Sequence, residues 1–220
     1  PDPYEPRQRY WKIHARRAVL AAGAEERPVA FGGNDMPGVM TASAMRTYAN
    51  RYAAAAGRSV VVFGGNDSIY RTARDLKSHG IHVEAIVDSR KDSKGDAAGV
   101  PVIRGAMVAD AVGGKAVKSV HLTDGTHINC EAVAMSGGFS PIVNLACHRG
   151  KKPVWDANLL AFLPPDNGPA FTVAGSAAGK MLLSECLADG AAKGAVDGKA
   201  IEIPKCHDEA FAISPLWWVK

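Results

Sequence analysis

The stretch SVVVFGGNDSIYRTARDLKSHGIHVEAIVD, residues 59–88, decides the fold. Residues 59–63 form a β-branched apolar run, the pattern of a strand buried on both faces. Asp67 or Ser68 then stands where a helix N-cap belongs, and the helical pattern runs to about His79, where Gly80 stops it. A second apolar run, residues 81–87, ends at Asp88. Strand, helix and strand within about 30 residues is the spacing of a right-handed parallel crossover. The stretch therefore predicts an α/β fold built on a parallel, Rossmann-like sheet.

Working toward the N-terminus, residues 41–56 read as a helix with Ala44, Met45, Tyr48 and Tyr52 on one face, closed by Gly57. Residues 9–23, RYWKIHARRAVLAAG, read as a strand, a short link and a second strand. The second holds the apolar run of residues 18–22, and Gly23 after it permits a sharp turn or a close approach to a ligand. Residues 28–31 make another short strand, and residues 32–38 a loop.

Working toward the C-terminus, residues 108–112, 118–122 and 127–130 are β-rich, with Gly113-Gly114 and Asp124-Gly125 between them as turns. They predict a three-stranded antiparallel element. Residues 132–135 return as an apolar strand that meets Ser136-Gly137-Gly138, and residues 141–147 suit a short helix opened by Pro141. Residues 171–174 form a last buried strand, followed by Gly175-Ser176-Ala177-Ala178-Gly179. Gly179 opens a helix running to Gly194 with Leu182, Leu183, Cys186, Leu187 and Ala191 on one stripe. The tail, residues 199–220, ends in Pro215-Leu216-Trp217-Trp218-Val219, whose aromatics suit packing against a neighbour.

Composition narrows the function classes. The chain is 47% hydrophobic and 22% charged, ordinary for a globular protein, and its net charge of +4 is scattered. No basic block interleaved with aromatics points to nucleic acid. No run approaches the ~18 apolar residues of a membrane span, and no signal peptide opens the chain. The four cysteines have neither CxxC nor zinc spacing and read as reduced, mostly buried thiols of a cytoplasmic protein. The seven histidines are dispersed, so no metal site is expected.

Two places invite a dinucleotide. The turn Gly64-Gly65-Asn66-Asp67-Ser68-Ile69 keeps only the first glycine of GxGxxG. Asn66 stands where backbone must approach a pyrophosphate, Ile69 where helix and strand pack closely, and Asp67 puts negative charge where phosphate would go. Asp88 lies about where a ribose-reading acid belongs, although a lone acid at a strand end is more often a turn residue. The expectation is a crossover without nucleotide. The second place is discontinuous: Ala22 and Gly23 end one apolar strand, Gly175 and Ser176 another, and the helix after Gly179 supplies free N–H groups.

At this point a resemblance appears. VLAAGA (residues 19–24) followed by ERPVAF (residues 26–31) is similar to the "ATGA…ERP" segment of flavoprotein disulfide-reductase-like proteins, and FTVAGSAAG (residues 171–179) resembles their terminal strand ending in Gly-Asp. More narrowly, residues 30–52 and 136–156, with the PLWWV of residues 215–219, resemble the alpha subunit of heterotetrameric sarcosine oxidase. The RGK at Arg149-Gly150-Lys151 and the WD at Trp155-Asp156 are its most specific parts.

The resemblance implies an internal piece of such a subunit, inactive alone, with an FAD/NAD(P)-binding fold truncated to the supplied residues. Residues 1–40 and 141–198 would belong to a first dinucleotide-binding domain holding NAD. Residues 41–140 would be an inserted second Rossmann-like subdomain without nucleotide, and residues 199–220 a tail toward a further domain. Ala22 replaces the threonine of the ATG motif and Ser176 the Gly-Asp acid, so the first site suits NAD better than FAD. By position in the family, Ser176, Met181 and Leu183 line that NAD site beside Ala22, Gly23 and Gly175. The whole complex would carry FAD and FMN, join other subunits, oxidatively demethylate sarcosine to glycine with hydrogen peroxide, and pass the one-carbon unit to tetrahydrofolate or release formaldehyde. No catalytic residue is expected in this stretch. An opine oxidase or proline dehydrogenase subunit, or a scaffold with a vestigial site, are the alternatives.

Overall fold

The computed structural model describes residues 8–148, 150–195 and 201–219. Arg149, in the motif quoted above, lies outside them. In chain order the elements are β1 (Ala18–Leu20), β2 (Ala24–Glu26), β3 (Val39–Thr41), α1 (Ala42–Tyr52), β4 (Ser59–Gly64), α2 (Ser68–Ser78) and β5 (His82–Asp88). Next come β6 (Val102–Arg104), β7 (Val108–Gly113), β8 (Val117–Leu122), β9 (His127–Asn129), β10 (Ala132–Ser136), β11 (Phe139–Pro141) and α3 (Asn144–Cys147). The last are β12 (Val154–Asp156), β13 (Ala161–Leu163), β14 (Phe171–Val173) and α4 (Leu183–Gly194).

The centre is a five-stranded parallel sheet in the order β3-β10-β4-β5-β6. Its continuous apolar runs have a physical cause, because β4 is covered on both faces. Val60 and Val62 pack toward α1 and α2 with Met45, Ile69 and Leu76. Val61 and Phe63 point the other way, into a cluster with Val117, Val120 and Leu122 of the antiparallel sheet. That second layer is β7-β8-β9, three antiparallel strands, as the turn signals predict. Helices, parallel sheet and antiparallel sheet thus form three layers around residues 39–136.

The rest of the chain is less consolidated. β1 pairs in parallel with β14, β2 antiparallel with β11, and β12 with β13, each as a two-stranded sheet. The small core there is Ala146, Val173 and Ala177. α4 buries no residue fully, and Leu183 on its expected apolar stripe is exposed.

Several local expectations change. No strand forms over residues 9–14, which are exposed coil; charged and aromatic residues there find no partner strand among the described residues. β1 itself is largely exposed rather than buried. Residues 28–31 make only isolated bridges, Ala30 with Trp218, although Val29 and Phe31 are buried. α1 turns Ala42, Met45 and Ala49 inward, because the two alanines let it approach the sheet closely. Tyr48 and Tyr52 face solvent and pack on each other with centroids 6.0 Å apart. α1 ends at Ala53, which holds φ 49° where a glycine is usual, four residues before Gly57. Gly179 does not open the last helix; it closes a 3-10 turn over Gly175–Ala178 with φ 81°, and α4 starts at Leu183. The β12–β13 hairpin had no signal strong enough to read, its strands being three residues each.

Two candidate dinucleotide sites

The first candidate lies past the carboxyl ends of β4 and β5, where open α/β sheets take ligands. Asn66 is fully buried there. Its amide donates to Ser136 O at 3.1 Å and Ser136 Oγ at 3.0 Å, and its Oδ1 accepts from the Ser68 N–H at 3.1 Å. Asn66, rather than Asp67 or Ser68, therefore caps α2. Asp67 makes no cap bond. Its carboxylate accepts from Arg90 Nη2 at 2.8 Å and from the Ala212 N–H at 2.7 Å.

Asp88 is equally committed. It is fully buried; its Oδ1 accepts from Arg90 Nε and the Arg90 N–H, each at 3.0 Å, and its Oδ2 from Arg90 Nη2 at 2.8 Å and the Tyr70 hydroxyl at 3.0 Å. A buried carboxylate with four donors has no lone pair to offer a ribose. Burial alone would lower the Arg90 pKa, but its bonds to Asp88 and Asp67 outweigh that and raise it. Burial also pushes the Tyr70 hydroxyl up. The arrangement is a buried cation held between two carboxylates.

Beside it, a cleft of about 1010 Å³ lies between residues 89–96 and the tail, with Arg74, Lys91, Lys94, Asp96 and Glu209 among its walls. Both signs of charge line it, so it presents no anion-selective field.

The second candidate lies at the ends of β1 and β14. The pairing of these strands brings Gly23 and Ser176 together: a Cβ on Gly23 (φ 81°) would meet nothing nearer than Ser176 Oγ at 3.9 Å. Gly175, φ 67°, is as open, with Cys186 Sγ at 3.9 Å from its built Cβ. Ala22, Gly23, Gly175 and Ser176 are all half-buried. Two glycines with left-handed backbones stand here beside a neutral hydroxyl, with Ser176 Oγ and Cys186 Sγ at ordinary contact distance from the positions a Cβ would take, and the hydroxyl can both donate and accept. The Gly175 N–H is already taken by Asp189 Oδ2 at 2.9 Å. Burial would raise the Asp189 pKa, but Lys193 and that N–H hold it below the usual range.

Met181 and Leu183 are placed apart from this pair. Met181 lines a separate cavity of about 470 Å³ with Leu159, Leu182, Asp208 and Phe211, and Leu183 is exposed. At the same helix end Asp208 accepts from the Ser184 N–H at 2.8 Å and from the Ser184 hydroxyl, and these bonds hold its carboxyl below the ordinary range.

Sequence reasoning missed Arg90, Tyr70 and the tail. An arginine two residues past a strand-end acid is a faint signal for the first; the tail's apolar end was marked in the sequence, but not that Leu216 enters this chain's own core. Among the described residues there is no cluster of metal-binding side chains and no helix long and apolar enough to cross a membrane.

A central parallel sheet flanked by helices and a three-stranded antiparallel layer, inserted between two strands that pair with each other, defines an FAD/NAD(P)-binding oxidoreductase fold. Solved structures agree. An L-proline dehydrogenase from P. horikoshii is 25% identical and matches with a TM-score of 0.58 over 73% of this chain and 30% of that one. An FAD-dependent pyridine nucleotide-disulphide oxidoreductase from Desulfovibrio vulgaris matches with a TM-score of 0.55 at 17% identity, over 80% of this chain and 49% of that one. No family model matches the chain.

Sequence similarity is narrower. The chain is 46% identical over 208 residues to the sarcosine oxidase subunit alpha of Rhizobium meliloti (strain 1021), covering 93% of this chain and 21% of that protein. To the subunit alpha of Corynebacterium sp. (strain U-96) it is 34% identical, covering 97% of this chain and 24% of that protein. The chain is thus a relative of the sarcosine oxidase alpha subunit, and it spans between a fifth and a quarter of the length of the relatives it matches.

Proposed function

We propose that this chain is part of the alpha subunit of a heterotetrameric sarcosine oxidase. The complex would convert sarcosine to glycine with hydrogen peroxide and formaldehyde or methylene-tetrahydrofolate as the other products. The observation that carries the reading is 46% identity along 93% of the chain. The amine oxidation belongs to flavins, FAD and FMN, held elsewhere in the complex. This region's part is to hold NAD in the first domain and to scaffold the subunit. Gly23 and Gly175 would let the dinucleotide approach the backbone, and Ser176 would hydrogen-bond a hydroxyl of it. NAD bound there would add a pyrophosphate and ribose hydroxyls to the edge of β1 and β14. The absence of an acid at Ser176 supports NAD over FAD at this place.

A second reading, a proline dehydrogenase subunit, draws on the solved neighbour from P. horikoshii at 25% identity. The experiment is to purify the complete polypeptide with its partners, assay peroxide formation with sarcosine and with L-proline, and measure bound NAD. Sarcosine-dependent peroxide with NAD present is the expected result. Turnover of proline alone would favour the second reading. The double substitution Asn66→Gly with Asp67→Ala should leave the NAD content unchanged, which a large loss of NAD would contradict.

A further inference from the structure

We propose that the crevice past β4, β5 and β10 is a peptide-binding site whose ligand is the chain's own residues 212–216, seated where an open α/β sheet would take a nucleotide. This inference stands apart from the placement of NAD in the first domain.

The segment binds as a strand would. The Asp67 N–H donates to Ala212 O at 3.1 Å, the Ser214 N–H to Gly65 O at 2.8 Å, and Asn66 and Ile213 form an antiparallel bridge. Two side chains complete the ladder. Asp67 Oδ2 accepts the Ala212 N–H, and Arg90 Nη1 donates to Ala212 O at 3.0 Å. The charges that oppose a phosphate are therefore the ones that hold a peptide, by β-augmentation of the turn.

Three glycines meet the same ligand. A Cβ on Gly65 would stand 2.8 Å from Ser89 Oγ, 3.2 Å from Ser214 Oγ and 3.3 Å from Leu216 Cβ, and one on Gly137 2.9 Å from Leu216 O. One on Gly138 would stand 2.2 Å from Ile213 Cδ1. Gly65, Gly137 and Gly138 thus give close approach to residues 213–216, whereas a Cβ on Gly64 would meet Ser136 O at 2.5 Å and Ile69 Cγ2 at 2.7 Å instead. A dinucleotide fingerprint uses glycine for the same purpose, but here the approaching group is peptide. Leu216 then enters the core with Phe63, Val87 and Met135, and is 4% exposed.

Anchors on both sides keep the ligand in place. Glu209 pairs with Arg74 of α2 at 2.8 Å, and Asp208 caps α4 of the first domain. An intramolecular ligand on a short tether acts at an effective concentration of about millimolar. A free nucleotide would have to displace it from a site whose acid and cation are already paired.

Hydrogen exchange on the complete polypeptide, assembled with its partners, tests this. The Asp67, Ala212 and Ser214 amides should be protected in the unaltered protein. Leu216→Ala, which removes the core anchor, should speed their exchange at least about tenfold while β7 to β9 stay protected. Should that variant fail to fold, Glu209→Gln releases only the α2 anchor and should speed exchange at Ala212 and Ser214 severalfold. ADP-ribose at millimolar concentration should add no protection to residues 64–68 of the unaltered protein. Fast exchange of these three amides before any substitution, unchanged rates in the folded variants, or protection of residues 64–68 by ADP-ribose would each overturn the proposal.

Discussion

At the carboxyl ends of β4 and β5 the side chains of Asn66, Asp67, Asp88 and Arg90 are engaged with one another's neighbours and with residue 212, while the buried Ser89 Oγ beside them has no hydrogen-bond partner among the described residues. At the ends of β1 and β14, a Cβ built on Gly23 or on Gly175 would meet its nearest neighbour only at 3.9 Å. Both regions lie past the carboxyl ends of parallel strands, but the first belongs to a five-stranded sheet with a crossover helix and the second to a two-stranded pair. In the first, strand, turn and helix remain in register while the charged side chains are bonded within the chain. The charge argument from Asp67 alone is the weaker part of this, because Arg90 neutralises it; occupancy by peptide is the stronger.

The contrast can be broken most forcefully at Arg90. Arg90→Ala leaves Asp88 buried without its counter-ion and should cost about 3–5 kcal/mol in denaturant unfolding of the complete subunit. Lys193→Ala, which breaks an i,i+4 pair with Asp189 at the first-domain edge, should cost about 0.5 kcal/mol. Equal losses would mean that the two regions are not packed differently.

Acid should act on the first-domain edge through Asp189 and Asp208. Folding lowers both pKa values, so their stabilisation is complete above the unfolded value near ~4 and is lost as pH falls through the lower folded values. Between about pH 5 and 7 the protection of the α4 amides, relative to the intrinsic exchange rate at each pH, should stay constant, and below that it should fall. A fall in protection already between pH 7 and 5 would point to other groups.

Thiol chemistry sharpens the same comparison. Cys130 lies in the core between the parallel and antiparallel sheets, where burial pushes its pKa up to about 11, whereas Cys206 is exposed. At pH 8 only about a thousandth of Cys130 would be thiolate, so alkylation should mark Cys206 first and leave Cys130 unmodified in the folded protein. Peptide mass analysis after a short iodoacetamide pulse measures this.

A small effect belongs to α1. Ala53 sits at φ 49° with its N–H bonded to Tyr48 O, so Ala53→Gly relieves left-handed strain and should raise stability by about 0.5–1 kcal/mol. A lowered melting temperature would show that the side chain contributes more than the strain costs.

The sequence by itself determined the crossover of residues 59–88 and the antiparallel layer. Those elements rest on period, turn chemistry and continuous apolar runs, all short-range properties of the chain. It grouped Gly23 and Ser176 as one candidate site, but that the two residues meet was decided only by the pairing of β1 with β14. Which face of α1 is buried was decided only in three dimensions. Ala42 and Ala49 fit against the sheet, and Tyr48 and Tyr52 do not need to. The same holds for the fate of Asp67 and Asp88. Their partners Arg90, Tyr70 and Ala212 come from a loop, a helix and a tail, and a residue such as Ala212, 145 positions from Asp67, carries no local mark of the contact. Hydrogen bonds between such distant backbones depend on where the sheet places its edge, and that is a property of the assembled fold.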